Sequence, residues 1–355
     1  MTPELGIIEG FYGEPWSWDA RVAVTTMLAP HGYLFYLYAP KGDAWLRRRW
    51  QEPHPPEHAA RLATFAAHCR SLGVRFGLGL SPYEIYRDFG PSCREALARK
   101  LGWLDELGVQ DLAILFDDMH GDSPDLADRQ LEIVGFVAER SAAGRLFVCP
   151  TYYTDDAILD KLFGPRPPGY LERLGAGLPA GIEIFWTGEE VISREYSVGH
   201  LRRVGDVLRR RPFLWDNYPA NDGPRLSRYL HLRGVTGRRA DIAEYIAGHG
   251  VNPAQQPVLS CIPAITLAES YRLGEDYRYG AAFRTAAAAV LGPELASLLP
   301  EDILTLQDVG QERIDAEQLA RLRERYGRFD HDGAREIVRF LAGAYFTSEQ
   351  VIQAQ

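Results

Sequence analysis

Short apolar runs punctuate the chain at Gly6–Glu9, Tyr33–Tyr38, Arg75–Leu80, Leu112–Phe116, Leu146–Val148, Glu183–Phe185, Pro212–Leu214 and Pro257–Ser260. Between them lie segments with apolar positions at helical spacing: Trp18–Ala29, Pro56–Leu72, Ser92–Leu107, Asp125–Ser141, Ser197–Arg210 and Arg239–His249. Strands alternating with helices predict an α/β fold with a parallel sheet. Eight such repeats predict a closed (β/α)8 barrel of the TIM type, with an open doubly wound sheet as the alternative. Ser92 followed by Glu95 predicts a capping box at the start of the third helix.

From about Thr266 the pattern turns wholly helical, with segments Tyr271–Leu291, Glu294–Leu299, Ala316–Tyr326 and one from Asp332 to about Tyr345. The alanine run Ala286–Ala289 is a strong helix former. This predicts a barrel domain over residues 1–265 and a helical C-terminal domain over residues 266–355 that supports the barrel or forms a homodimer.

The run Leu112–Phe116 stops at two adjacent charges, Asp117 and Asp118. Residues just past the carboxyl end of a barrel strand line the active-site face. Neighbouring side chains on an extended backbone diverge, so one of the two acids can stay ionised while the other keeps a proton for bond cleavage. A helix cap or a solvated loop is the plainer reading of the pair alone. Other strand ends also turn polar and aromatic: Glu9-Gly10-Phe11-Tyr12-Gly13, Tyr38-Ala39-Pro40-Lys41, Ser81-Pro82, Pro150-Thr151-Tyr152-Tyr153, Trp186-Thr187-Gly188 and Trp215-Asp216-Asn217. Asn252 precedes the eighth predicted strand.

The 355 residues include 46% hydrophobic and 25% charged side chains, ordinary for a globular chain. A formal net charge of −9 gives no basic surface for nucleic acid or anionic membrane. The runs Arg47-Arg48-Arg49 and Arg209-Arg210-Arg211 read as solvated helix ends. Four cysteines, Cys69, Cys93, Cys149 and Cys261, form no C-x-x-C pair, and Cys149 and Cys261 read as buried thiols. With no signal-like or bilayer-length apolar segment, the expectation is a reduced, cytoplasmic protein.

Exposed aromatics beside carboxylates, asparagines and one lysine suit a sugar: rings stack on a pyranose face and polar groups take its hydroxyls. Tyr153, Trp186, Trp215, Asn217, Asp222, Asn252 and Lys41 are the candidates. Asp117, Asp118, His120 and Asp122 match no metal-binding spacing, and no phosphate loop, dinucleotide fingerprint or G-x-S-x-G elbow is present. No metal and no cofactor are therefore expected.

The segments Gly6–Trp16, Tyr36–Lys41, Leu115–Asp118, Cys149–Thr151, Trp186–Gly188 and Trp215–Asn217 with Asn221-Asp222 together resemble glycoside hydrolase family 84, the β-N-acetylglucosaminidases, over roughly residues 5–270. The resemblance implies a retaining, exo-acting, substrate-assisted hydrolysis of an N-acetyl-β-D-glucosaminide through an oxazoline, an exception to the two-carboxylate scheme. It implies that Asp117 orients the acetamido N–H and that Asp118 is the general acid and base. One carboxyl of such a pair should have a raised pKa. It further implies that Asp222 binds the hydroxyls at C4 and C6 and that Asn252 also bonds the sugar. Asn217 and Tyr153 would flank the acetamido pocket, Tyr153 bonding the nascent oxazoline oxygen. Trp215 would wall that pocket, and Gly10 (through its carbonyl) with Lys41 would hold the hydroxyl at C3. Tyr152 departs from the acid that relatives often carry there, and the tail past about Ser270 matches no family motif. A hyaluronidase-like endo-hexosaminidase and a non-catalytic N-acetylglucosamine-binding barrel are the competing readings.

Overall fold

The computed structural model describes residues 2–355. Eight parallel strands close into a barrel in chain order. They are β1 (Leu5–Glu9), β2 (Tyr33–Tyr38), β3 (Arg75–Leu80), β4 (Asp111–Leu115), β5 (Arg145–Cys149), β6 (Ile182–Trp186), β7 (Phe213–Asp216) and β8 (Gly248–Val251). Closure pairs Leu5 with His249, Gly6 with Gly250 and Ile7 with Val251. The chain is therefore a (β/α)8 barrel, and the open-sheet alternative falls.

The barrel interior is filled by rings rather than left as a pore. Phe147 stacks on Phe185 at 5.2 Å, and Phe213 meets Phe35, Phe147 and Phe185 edge-on at 5.2–5.5 Å. These rings need gaps in the neighbouring strands. A Cβ on Gly6 would lie 2.3 Å from Phe35, and one on Gly248 would lie 2.3 Å from Phe213. Glycine in the strand is the consequence of close packing.

That glycine content explains the one misplaced strand. Pro257–Ser260 is not a strand; it begins the helix Pro257–Leu273, with Pro257 in its first turn. The eighth strand is Gly248–Val251, whose Gly-His-Gly-Val sequence carries little strand signal. Asn252 therefore follows β8 on the carboxyl face instead of preceding a strand. Likewise Arg239–His249 is not one helix but a 3-10 turn, Ala240–Tyr245, leading into β8. The helix predicted from Ser92 begins at Pro91 behind Gly90, and no side chain caps it. Proline at the first turn supplies the fixed φ instead of a capping box.

After β8, the helix Pro257–Leu273 buries most of its length and packs against the helices Trp18–Leu28 and Tyr279–Leu291. Residue 265, the expected division, lies inside it. The segment expected as one helix over Tyr271–Leu291 is broken at Gly274–Asp276. Helices Ala316–Gly327 and Asp332–Leu341 pair beyond it, and a last helix, Glu349–Ala354, returns to the barrel mouth. No helix among the described residues is long and apolar enough to cross a membrane. All four cysteines are free and buried.

Candidate active site

At the carboxyl face a cavity of about 190 Å³ is lined by Gly10, Lys41, Asp117, Asp118, Tyr153, Trp215, Asn217, Asp222 and Asn252. The nine residues to which the family resemblance assigns a role thus meet in one place. The cavity volume lies below the range of about 300–1,000 Å³ usual for drug-sized ligands and suits one small ring.

The two central carboxylates do not diverge as an extended backbone would make them. The chain turns after β4, and Asp118 takes φ +56°, the left-handed region that Asp and Asn tolerate best after glycine. Both acids consequently face the buried ammonium of Lys41. Its Nζ bonds Asp117 Oδ2 and stands 3.7 Å from Asp118 Oδ2. Asp117 Oδ1 is buried with no protein partner.

Asp118 accepts two phenolic hydrogen bonds, from Tyr12 to Oδ2 at 2.9 Å and from Tyr153 to Oδ1 at 3.0 Å. Burial pushes its pKa up. The charges of Lys41 and Arg47 and the two hydroxyls outweigh that, and the net direction is down. The expectation of a raised pKa does not hold for Asp118, because two cations and two phenolic donors favour its charged form more than burial disfavours it. Burial, with the charge of Asp118, raises both Tyr12 and Tyr153, so both phenols stay protonated donors. The raised carboxyl is Asp222. Burial lifts it to about 6, opposed by the N–H of Tyr12, which donates to Oδ2 at 2.8 Å.

The far wall is a locked network. Asn217 Oδ1 accepts from Trp215 Nε1 and from Asn252 Nδ2, both at 2.9 Å. Asn252 Oδ1 accepts the N–H of Gly10 at 3.1 Å. Trp215 comes so close that a Cβ on Gly10 would lie 2.3 Å from its ring. Asn217 Nδ2 donates to the carbonyl of Val191 at 2.9 Å, and Trp215 cannot rotate without breaking its bond to Asn217.

The model of the family described as beta-N-acetylglucosaminidase matches residues 5–301. The chain belongs to this β-N-acetylglucosaminidase family. It is 30% identical over 276 residues to Protein O-GlcNAcase of Rattus norvegicus and equally to that of Mus musculus, matching 75% of this chain. The match covers only 30% of the length of those relatives. Among solved structures, an O-GlcNAc hydrolase mutant from Thermobaculum terrenum superposes with a TM-score of 0.78 at 28% identity, over 97% of this chain and 75% of that one.

In this β-N-acetylglucosaminidase family member, several site residues escaped sequence reasoning. Arg47 is no solvated helix end. It is buried, donating to Ser81 Oγ at 2.8 Å and to the carbonyl of Asp118 at 3.0 Å. Arg210, away from the cavity, likewise binds five backbone carbonyls, those of Gly175, Leu178, Pro179, Ile182 and Leu208. Arginine runs carry no mark of which member turns inward. Tyr12, Thr187, Cys149 and Ile352 also line the cavity. Tyr12 and Thr187 lie within strand-end motifs and Cys149 within a segment of the family resemblance, signals that pointed to them; Ile352 lies in the unmatched tail.

Trp186 does not reach the cavity. It is fully buried, donating to His200 Nε2 at 2.9 Å. His120 and Asp122 are exposed and stand apart from the cavity lining. Among the described residues, the acids and histidines close enough to share an ion are Asp43, His54 and His58. There Asp43 Oδ2 takes the hydroxyl of Tyr38 at 3.0 Å and faces both imidazoles at 3.2–3.3 Å. His54 Nδ1 is buried without a partner, whereas ligating imidazoles normally have an outer hydrogen bond. The trio ties down the loop after Lys41.

Proposed function

We propose that this chain is a retaining exo-β-N-acetylglucosaminidase that hydrolyses terminal N-acetyl-β-D-glucosaminides by substrate-assisted catalysis. The observation that carries the reading is Asp117, fixed by Lys41 through one oxygen and unpartnered at the other. A buried acceptor without a donor costs about 1–3 kcal/mol. The acetamido N–H of a bound sugar supplies that donor and turns the acetamido oxygen toward C1.

In the first half-reaction the acetamido oxygen attacks C1 and the bond from C1 to the leaving oxygen breaks. Asp118 protonates that oxygen, and Asp117 stabilises the positive charge of the oxazoline. In the second, Asp118 takes a proton from water, whose oxygen attacks C1 and reopens the ring with net retention. Asp118 must first gain a proton. Redirecting Tyr153 from Asp118 to the acetamido oxygen removes one hydrogen bond that favours the charged form. Lys41 and the Gly10 carbonyl hold the hydroxyl at C3, Asp222 those at C4 and C6. Trp215, oriented by Asn217 and Asn252, walls the acetamido group. The one-ring volume of the cavity supports exo over endo action.

The test is release of 4-nitrophenol from its N-acetyl-β-D-glucosaminide by the wild type, Asp117→Asn and Asp118→Asn. Turnover is expected in the wild type, lost in Asp117→Asn and reduced in Asp118→Asn. The Asp118→Asn loss should reach about 10²–10⁴-fold on alkyl glycosides, the usual worth of a general acid. Absence of turnover by the folded wild type near neutral pH would leave a sugar-binding barrel.

A further inference from the structure

One side chain of the cavity comes from far along the chain. Ile352, in the helix Glu349–Ala354, lines it together with Asp222 and Gly223. Its Cδ1 is 3.8 Å from where a Cβ on Gly223 would stand. It therefore abuts the stretch of wall that carries the carboxylate assigned above to the hydroxyls at C4 and C6.

The helix is held there from three sides. Gln355 grips the backbone of Gly13 twice, accepting its N–H at 2.9 Å and donating to its carbonyl at 3.0 Å. Arg48 donates to the carbonyl of Gln353 at 3.1 Å while its guanidinium lies 3.6 Å over the ring of Tyr83. Just before the helix, the N–H of Thr347 donates to Ser227 Oγ at 3.2 Å.

Gly13 has φ +107°, and a Cβ there would lie 2.5 Å from Gln255 and 2.9 Å from Thr347. Only glycine permits this approach. The preceding amide, that of Tyr12, holds Asp222. Successive residues of one loop thus fix both the carboxylate and the segment that closes beside it.

We propose that Ile352 is a specificity-determining residue that closes the site beyond C4 and C6. The site then takes a terminal, unsubstituted N-acetylglucosamine and excludes one substituted at those hydroxyls. The inference rests on the placement of the sugar in the proposed function. The side chain offers a substituent neither a hydrogen bond nor room, and Ile→Ala removes three carbons, enough to seat a methyl ether.

The experiment compares 4-nitrophenyl N-acetyl-β-D-glucosaminide with its 4-O-methyl and 6-O-methyl ethers. The quantity read is kcat/KM for each ether over that for the parent, in wild type and Ile352→Ala. The ratio should rise at least tenfold for one of the ethers. Such a gain cannot come from misfolding. Gln355→Ala, which loosens the segment from Gly13, should raise the same ratio to a smaller extent. Unchanged ratios for both ethers in both variants would overturn the assignment. If the wild type fails to cleave even the parent, the proposed activity fails separately. Calorimetric binding of N-acetylglucosamine and its two methyl ethers then makes the same comparison, and equal affinities in wild type and Ile352→Ala would again overturn it.

Discussion

The hydroxyl of Tyr12 donates to Asp118 Oδ2 at 2.9 Å, so the carboxylate assigned to proton delivery is held by a donor that favours its charged form. Tyr12→Phe removes that donor and raises the pKa of Asp118. A general acid works while protonated, so the high-pH limb of kcat/KM on an alkyl glycoside should move to higher pH. A limb that stays put or moves down would separate Tyr12 from the ionisation of Asp118.

Asp222 gives the opposite limb. Burial raises its carboxyl to about 6. Above that pH it is a charged acceptor for sugar hydroxyls; as pH falls through 6 it gains a proton and loses acceptor strength. The kcat/KM profile should therefore fall below about pH 6, and Asp222→Asn should lower kcat/KM and flatten that limb. Persistence of the limb in Asp222→Asn would assign it elsewhere.

Gly10→Ala should damage binding through Trp215. The new methyl would lie 2.3 Å from the indole, and overpacking of this kind costs about 1–3 kcal/mol. A lower Tm and a raised KM are expected together, since moving the indole breaks its bond to Asn217. An unchanged KM would show that the indole does not wall the sugar.

Glu336 predicts a pH-dependent stability. It is buried and accepts the N–H groups of Val258 at 2.9 Å and Leu259 at 3.0 Å, at the start of the helix Pro257–Leu273. Burial raises its pKa to about 8 against an ordinary value of 4.5, despite those two donors. The native state then binds the extra proton between these values, and the stability it contributes is lost as pH rises through about 8. Tm should fall from pH 5 to pH 9, and Glu336→Gln should reduce that fall. An identical slope in the variant would remove Glu336 as its source.

Legibility in the sequence followed side-chain chemistry. Runs such as Tyr33–Tyr38 and Arg75–Leu80 announced their strands because both faces of a barrel strand are buried. The strand Gly248–Val251 did not, since its glycines exist to clear space for Phe213 and Ile8, a requirement written elsewhere in the chain. The same division holds at the site. Asp117 and Lys41 follow strand ends, Asp222 lies in the loop beyond β7, and all three were readable as chemistry because they are polar groups near one face of the barrel. Arg47 was not, because its burial depends on Ser81 and on the turn at Asp118. The left-handed φ of Asp118, which decides where its carboxylate points, is one that Asp tolerates but does not announce, since most Asp residues do not adopt it.

The helix Pro257–Leu273 follows the last barrel strand, takes Glu336 of the helix Asp332–Leu341 at its first turn and packs against the helix Tyr279–Leu291, and it is buried from Leu259 through Ala268. A cut at residue 265 would strand half of a buried helix on each side. The barrel and its tail should therefore lose structure in one cooperative transition, with the amides of this helix among the last to exchange with solvent.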